Sequence, residues 1–309
     1  MNIVILDAKT LGNDIDLSAL DRFGKVVRYE TTDPSETYER IRNATVVITN
    51  KVVINRLHMQ RCPLLKLICV AATGMNNVDL DAAAQIGIEV KNVAGYSTQS
   101  VVQHTFAMAL YLLEKMAYYD KTVKSGDWSR SGLFTDVSGP FFEISGKKWG
   151  IIGLGEIGKG VAKVAAAFGA EVNYYSTSGA NRNADYPQQS LEALLGSCDI
   201  ISIHAPLNDA THNLLNASNL SLLKEESILL NLGRGGIINE TDLAQELESR
   251  NIYAGLDVVE KEPIPTDNPL LQIEAQERLL ITPHIAWTGR EARVKLLEGI
   301  VENIKTFFR

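Results

Sequence analysis

The stretch KKWGIIGLGEIGKGVAKVAAAFG, residues 147–169, decides the fold. A short apolar run leads into Gly153, Gly155 and Gly158, which open an Ala- and Val-rich helical segment. Glycine-rich turns are common, so a lone GxGxxG says little. With a strand before it and a helix after it, the pattern reads as the phosphate-binding turn of a dinucleotide fold. The first glycine permits the tight turn, the second lets backbone approach a pyrophosphate, and the third seats the helix against the strand. Free N–H groups and the helix dipole then favour the anion. Glu156 and Ile157, between the second and third glycines, are expected at the cofactor as well.

The next strand, EVNYY, should end in an Asp or Glu about 20 residues on, to hold the adenosine ribose. Ser176 stands there instead, followed by Thr177 and Ser178; Asp185 comes too late, and Glu171 starts the strand. An acid would accept from the ribose 2′-hydroxyl and repel a 2′-phosphate. Hydroxyls can donate to that phosphate, and Arg182 could add charge-assisted bonds. The expected cofactor is therefore NAD(H) or NADP(H), with NADP tolerated or preferred. The alternative is that the hydroxyls simply hold the 2′-hydroxyl of NAD.

On either side of the turn, short β-branched runs alternate with helical segments, the pattern of an α/β protein with parallel sheets. KWGIIG, EVNYYS, DIISIHA, SILLNLG, YAGLDVV and LLITPH make six strands of a doubly wound, Rossmann-type sheet. NIVILD, KVVRY, TVVIT, KLICVA and IEVKN make a separate β/α domain of about a hundred residues, with Pro34 and Gly87 as helix start and stop signals. Between the two series, SVVQHTFAMALYLLEKMAYY reads as one long apolar helix. The Gly- and Ser-rich segment after it carries Trp128, Phe134, Phe141 and Phe142. It is either a surface loop with anchoring aromatics or an arm that packs on a second subunit. A last helix spans roughly 288–307.

Composition closes off other classes. Of 309 residues, 45% are hydrophobic and 22% charged, so a full core is expected and disorder is not. A net charge of −7 and a pI near 5.4 exclude the basic face of a nucleic-acid binder. No apolar run approaches the roughly 20 residues that cross a bilayer. The start, MNIVILDAKT, reads as a strand and lacks the marks of a signal peptide. Cys62, Cys69 and Cys198 form no metal-like pair, so no metal site is expected, and reduced thiols in the cytoplasm are.

Position sorts the five histidines. His58 and His104 fall within helical segments and read as ordinary core or surface residues. His212 lies in a polar loop. His204 ends DIISIHA, and His284 closes LLITPH, both at the carboxyl edge where such sheets bind ligands. Arg234 follows the strand SILLN between glycines that leave it unshielded, Asp257 ends another strand, and Glu262 lies in the loop after it. Reduction of a 2-keto acid needs a hydride donor, a cation for the carboxylate and carbonyl, and an acid for the forming alkoxide. Arg234 fits the cation through its planar fork. His284 fits the acid, with Glu262 orienting the ring and favouring its charged form. Asp257 would accept from a nicotinamide carboxamide.

With AATGMNNVDLDAAAQIGI, GLGEIGKGVA, HAPLN, NLGRGGIINETDL, AGLDVVEKEP and TPHIAWTGREA, the chain resembles the D-isomer-specific 2-hydroxyacid dehydrogenase family over nearly its whole length. The resemblance implies Arg234, Glu262 and His284 as the catalytic set and Asp257 at the nicotinamide. It implies backbone N–H groups of Ala72, Thr73 and Gly74 for the substrate carboxylate. His204, Pro206, Leu232 and Gly233 are expected at the cofactor. The implied division is a discontinuous flavodoxin-like substrate domain, 1–98 and 287–309, around a cofactor domain, 99–286, in a homodimer. HIAWT is most like the glycerate dehydrogenase/hydroxypyruvate reductase branch, with Trp287 either lining the substrate site or packing the last helix. D-lactate and phosphoglycerate dehydrogenases are alternatives. Against the latter stand an end at Arg309 without a regulatory extension and the lack of a cationic cluster for a phosphate. A dinucleotide-sensing protein without turnover is the alternative from another class. Gln103, Ala286 and Ser176 depart from the family pattern, and only Ser176 bears on the cofactor.

Overall fold

A computed structural model describes residues 1–180, 183 and 185–309. The chain divides into two units, Met1–Ser97 with Thr288–Arg309, and Thr98–Trp287.

In the first unit the β-branched runs form β1 (Asn2–Ile5), β2 (Lys25–Arg28), β3 (Val46–Thr49), β4 (Leu67–Val70) and β5 (Glu89–Lys91). All pair in parallel in the order β2-β1-β3-β4-β5, the flavodoxin arrangement. The central strands β3 and β4 are buried at every position, as parallel strands covered on both faces must be. Asp7, just past β1, accepts from the backbone N–H groups of Asn50, Lys51 and Val52 and so ties down the loop that follows β3. The C-terminal helix Arg290–Phe307 lies against β4, with Asn303 donating to the Asn92 carbonyl.

The second unit carries β6 (Lys148–Ile152), β7 (Glu171–Tyr175), β8 (Ile200–Ile203), β9 (Ile228–Asn231), β10 (Tyr253–Leu256) and β11 (Leu279–Ile281). They form one parallel sheet in the order β11-β10-β9-β8-β6-β7. A single parallel bridge, Tyr174 to Gln188, adds a remnant strand outside β7. Counting that remnant, the order is that of the dinucleotide-binding fold, and the winding reverses between β6 and β8. Trp149 is fully buried in this core and its indole N–H reaches the Ser202 hydroxyl at 3.0 Å.

The long apolar segment is not the single helix that its composition suggests. One helix runs Thr98–Leu113, Lys115 turns the chain through the left-handed region (φ +50°), and a second runs Met116–Lys124. Neither glycine nor proline marks the break. The segment near Gly139 folds back onto it, Tyr119 donating to the Gly139 carbonyl at 2.9 Å. A side chain at Gly139 would press on Tyr119 and the Lys115 stem.

Candidate active site

The glycine turn has the shape its sequence implies. Gly153 sits at φ +93°, and a Cβ there would come within 2.9 Å of the Ala205 backbone. A Cβ on Gly158 would lie 2.3 Å from the Gly153 carbonyl, so the helix Glu156–Ala167 can approach only because that atom is missing. Above Gly155 nothing lies within 4 Å, the open space a pyrophosphate needs. Gly155 is also the N-cap and has no side chain to satisfy the first helical N–H groups, which leaves them for an anion.

Two buried polar groups flank this turn without partners among the described residues. Ser176, just past β7, is 6% exposed and its Oγ is sealed from solvent. Thr177 is half-buried and Ser178 exposed beyond it; Arg182 lies outside the described residues. His204, just past β8, has both ring nitrogens sealed and unpaired. A buried, unsatisfied polar group costs about 1–3 kcal/mol, so such groups mark a place where a ligand completes the bonding. The residues present therefore fit a bound dinucleotide. Pro206 continues the loop of His204, where its carbonyl accepts from Thr211 at 2.7 Å, and Leu232 opens the loop after β9.

Burial lowers the His204 pKa from 6.5 to about 3. The unfolded chain then binds a proton that the folded one refuses, so stability falls as pH drops from about 6.5 towards 3. The loss is about 1.4 kcal/mol per pH unit in that window. We expect His204→Phe to flatten the acid limb of the stability curve; equal slopes for both proteins in urea titrations between pH 4 and 6 would contradict this.

At the end of β9, Asn231 shapes the loop that bears Arg234. Its Oδ1 accepts from Gly233 N–H at 3.0 Å and its Nδ2 donates to the Arg234 carbonyl at 2.9 Å. Arg234 is half-buried, bonds only to the Gly233 carbonyl through Nη1 at 2.8 Å, and has no ion-pair partner among the described residues. The flanking glycines serve a purpose other than unshielding it. A Cβ on Gly233 would meet the Ala205 carbonyl at 2.7 Å, and one on Gly235 would overlap the Val259 carbonyl at 1.9 Å. They let the loops after β8, β9 and β10 touch, which brings Arg234 beside the loop of Glu262.

Past β11, His284 adopts φ +54°. Its N–H donates to the Asp257 and Thr282 carbonyls, each at 2.9 Å. Its Nδ1 lies 2.7 Å from Glu262 Oε2, a single carboxylate–imidazole bond that leaves Nε2 without a partner among the described residues. Asp257 is 2% exposed. Its Oδ1 accepts from Thr282 Oγ1 at 2.7 Å and Ile285 N–H at 2.8 Å, and its Oδ2 from Ala286 N–H at 2.9 Å. Asp257 thus clamps the His284 segment, a structural task beyond the carboxamide contact expected from sequence.

Sequence reasoning missed two residues here. His104, read as ordinary, places Nε2 3.1 Å from Thr282 Oγ1, and Ser100 on the same helix donates to the Ala286 carbonyl at 2.6 Å. Their spacing of four puts both on one helix face, and two polar residues in that apolar stripe were the available signal.

Ala72, Thr73 and Gly74 follow β4 in the first unit. Val93 N–H bonds the Ala72 carbonyl at 3.2 Å and Asn92 Nδ2 the Thr73 carbonyl, while the three N–H groups have no acceptor among the described residues. Successive free N–H groups of this kind suit an anion. Trp287, half-buried, ends the second unit. Among the described residues no cluster of metal-ligating side chains occurs, and no helix is long and apolar enough to cross a membrane.

The model of the D-isomer specific 2-hydroxyacid dehydrogenase, NAD binding domain, matches residues 106–286. A hydroxypyruvate reductase of Blautia hydrogenotrophica is 36% identical over 100% of this chain and 97% of its own. A glycerate dehydrogenase of Methylorubrum extorquens is 35% identical over 99% and 95%. The solved NADPH-dependent glyoxylate/hydroxypyruvate reductase of Sinorhizobium meliloti, in complex with NADP and malonate, matches with a TM-score of 0.83 and 26% identity, covering 99% of this chain and 93% of that one.

Proposed function

Because the chain belongs to the D-isomer-specific 2-hydroxyacid dehydrogenase family, we propose that it reduces hydroxypyruvate or glyoxylate to D-glycerate or glycolate. It is an oxidoreductase of 2-hydroxy acids that uses NAD(H) or NADP(H). The bound nicotinamide supplies the hydride; the protein supplies placement, charge and a proton. The observation that carries the reading is the 2.7 Å bond between His284 and Glu262. Glu262 accepts from Nδ1–H and fixes the ring, so that Nε2 is the nitrogen left to give a proton to the alkoxide that forms at the keto carbon. Arg234, half-buried and without an ion-pair partner among the described residues, gains most from a carboxylate that can take both arms of its fork. The N–H groups of Ala72, Thr73 and Gly74 in the first unit are suited to a substrate carboxylate in their own right, and Trp287 is the residue assigned to the substrate side chain. Rates with hydroxypyruvate, glyoxylate and pyruvate test this: the first two should exceed pyruvate by at least tenfold in kcat/KM, and preference for pyruvate would move the protein to the lactate branch.

For the cofactor, Ser176, Thr177 and Ser178 present hydroxyls where a carboxylate would repel a 2′-phosphate. NADPH and NADH should bind within about tenfold of each other, a difference under about 1.4 kcal/mol. NADPH binding hundreds of times weaker than NADH in a fluorescence titration would contradict it.

A homodimer is supported by the exposed apolar side chains of residues 117–146: Leu133, Phe134, Val137 and Phe141 are 67%, 91%, 79% and 55% exposed. Apolar exposure on that scale marks an interface. Sedimentation should give twice the 33.9 kDa chain mass, and a single-chain mass at micromolar concentration would refute the dimer. A cytoplasmic location is supported by three buried free thiols.

A further inference from the structure

We infer that His104 is a positioning residue for His284, acting through Thr282 and Asp257; the inference rests on the general-acid role given to His284. Thr282 has one hydroxyl proton, and Asp257 Oδ1 takes it at 2.7 Å, since two oxygens that close cannot both present lone pairs. Thr282 Oγ1 therefore accepts from His104 Nε2–H at 3.1 Å, which fixes the tautomer of His104. The chain His104 to Thr282 to Asp257 ends on the carboxylate that holds the N–H groups of Ile285 and Ala286. Asp257 also takes the His284 N–H on its main-chain carbonyl. Ser100, one helical turn before His104, holds the Ala286 carbonyl from the same face.

His284 needs such a frame. Its φ of +54° is a backbone conformation that costs about 1–2 kcal/mol in an L-residue, so the neighbours must impose it. Past Ile281 the chain keeps two main-chain bonds on the β10 side, Thr282 N–H to the Leu256 carbonyl and His284 N–H to the Asp257 carbonyl, each at 2.9 Å, and the helix Thr98–Leu113 holds the segment through Ser100 and His104. The His104 ring is 3.6 Å from Asp257 Oδ1, too far for a bond of its own, so Thr282 is the necessary link. Nothing in this chain of bonds touches Arg234, and substrate binding is independent of it.

His104→Leu should lower kcat about tenfold and leave KM for the keto acid within threefold. His104→Gln, which keeps a side-chain N–H, should recover most of the rate. Thr282→Val should reproduce the defect, and the double variant should be no slower than either single one, as expected for residues of one network. Amide exchange in a peptide spanning 282–287 should accelerate in His104→Leu and Thr282→Val and not in His104→Gln. Multiplicative losses in the double variant, failure of Gln to restore the rate, or unchanged exchange would each overturn the inference. If instead His284→Gln itself leaves the rate intact, the general-acid reading fails, and the exchange data still report whether His104 orders the segment.

Discussion

His284→Gln should lower kcat/KM for the preferred keto acid by 10²–10⁴, the usual contribution of a positioned general acid. Glutamine fills the space and can still donate a hydrogen bond, but it has no proton to give at the alkoxide. The loss should fall mainly on kcat, because the proton moves only in the transition state and the carboxylate is held elsewhere. Activity within about threefold of the parent enzyme would mean that solvent, or another group, supplies the proton. Binding of the reduced cofactor, followed by fluorescence, should be unchanged and shows that the variant is folded.

Replacing Arg234 should divide binding from chemistry in the opposite proportion. The guanidinium is half-buried and, among the described residues, makes one bond, to its own neighbour's carbonyl, so much of its hydrogen-bonding capacity is uncommitted there. Removal of one partner of a desolvated charge pair costs about 2–5 kcal/mol, so Arg234→Met should lose about 10²–10³ in kcat/KM, chiefly as a raised KM. Arg234→Lys should recover only part of it, since an ammonium is a point charge and cannot match both carboxylate oxygens. A lysine variant with full activity would show that charge alone suffices and would remove the bidentate argument.

The sequence made some of this legible because the chemistry needs particular residues at strand ends, and strand ends are visible in apolar runs. Gly153 and Gly158 read correctly because each answers a steric demand that a side chain could not meet, while Gly155 leaves open space beside the turn. Gly233 and Gly235 read only by position; their cause, contact with Ala205 and Val259, depends on which strands are neighbours. The break at Lys115 was hidden because a lysine in the left-handed region carries no composition signal, and the segment that folds onto it starts some twenty residues later. The outermost strand of the cofactor sheet was illegible for another reason: at Gln188 it has shrunk to one bridge, too short for any periodicity.

His104 shows where local reading stops. Its partners, Thr282 and Asp257, lie more than 150 residues away, and helical spacing reveals its face but not what that face meets. The same holds for Asp257, whose position at a strand end was visible while its three bonds to residues 282–286 were not. His204 and Ser176 could be placed at the ligand edge from sequence. That their polar atoms are sealed and unpaired is knowable only once the loops pack.

The most direct test is a crystal structure with reduced cofactor and oxamate, an unreactive mimic of a 2-keto acid. The account predicts both guanidinium arms of Arg234 on the oxamate and His284 Nε2 about 2.6–3.2 Å from its carbonyl oxygen, with Nδ1 still on Glu262. An imidazole turned away from the bound oxamate, or an Arg234 that reaches neither oxygen, would contradict it.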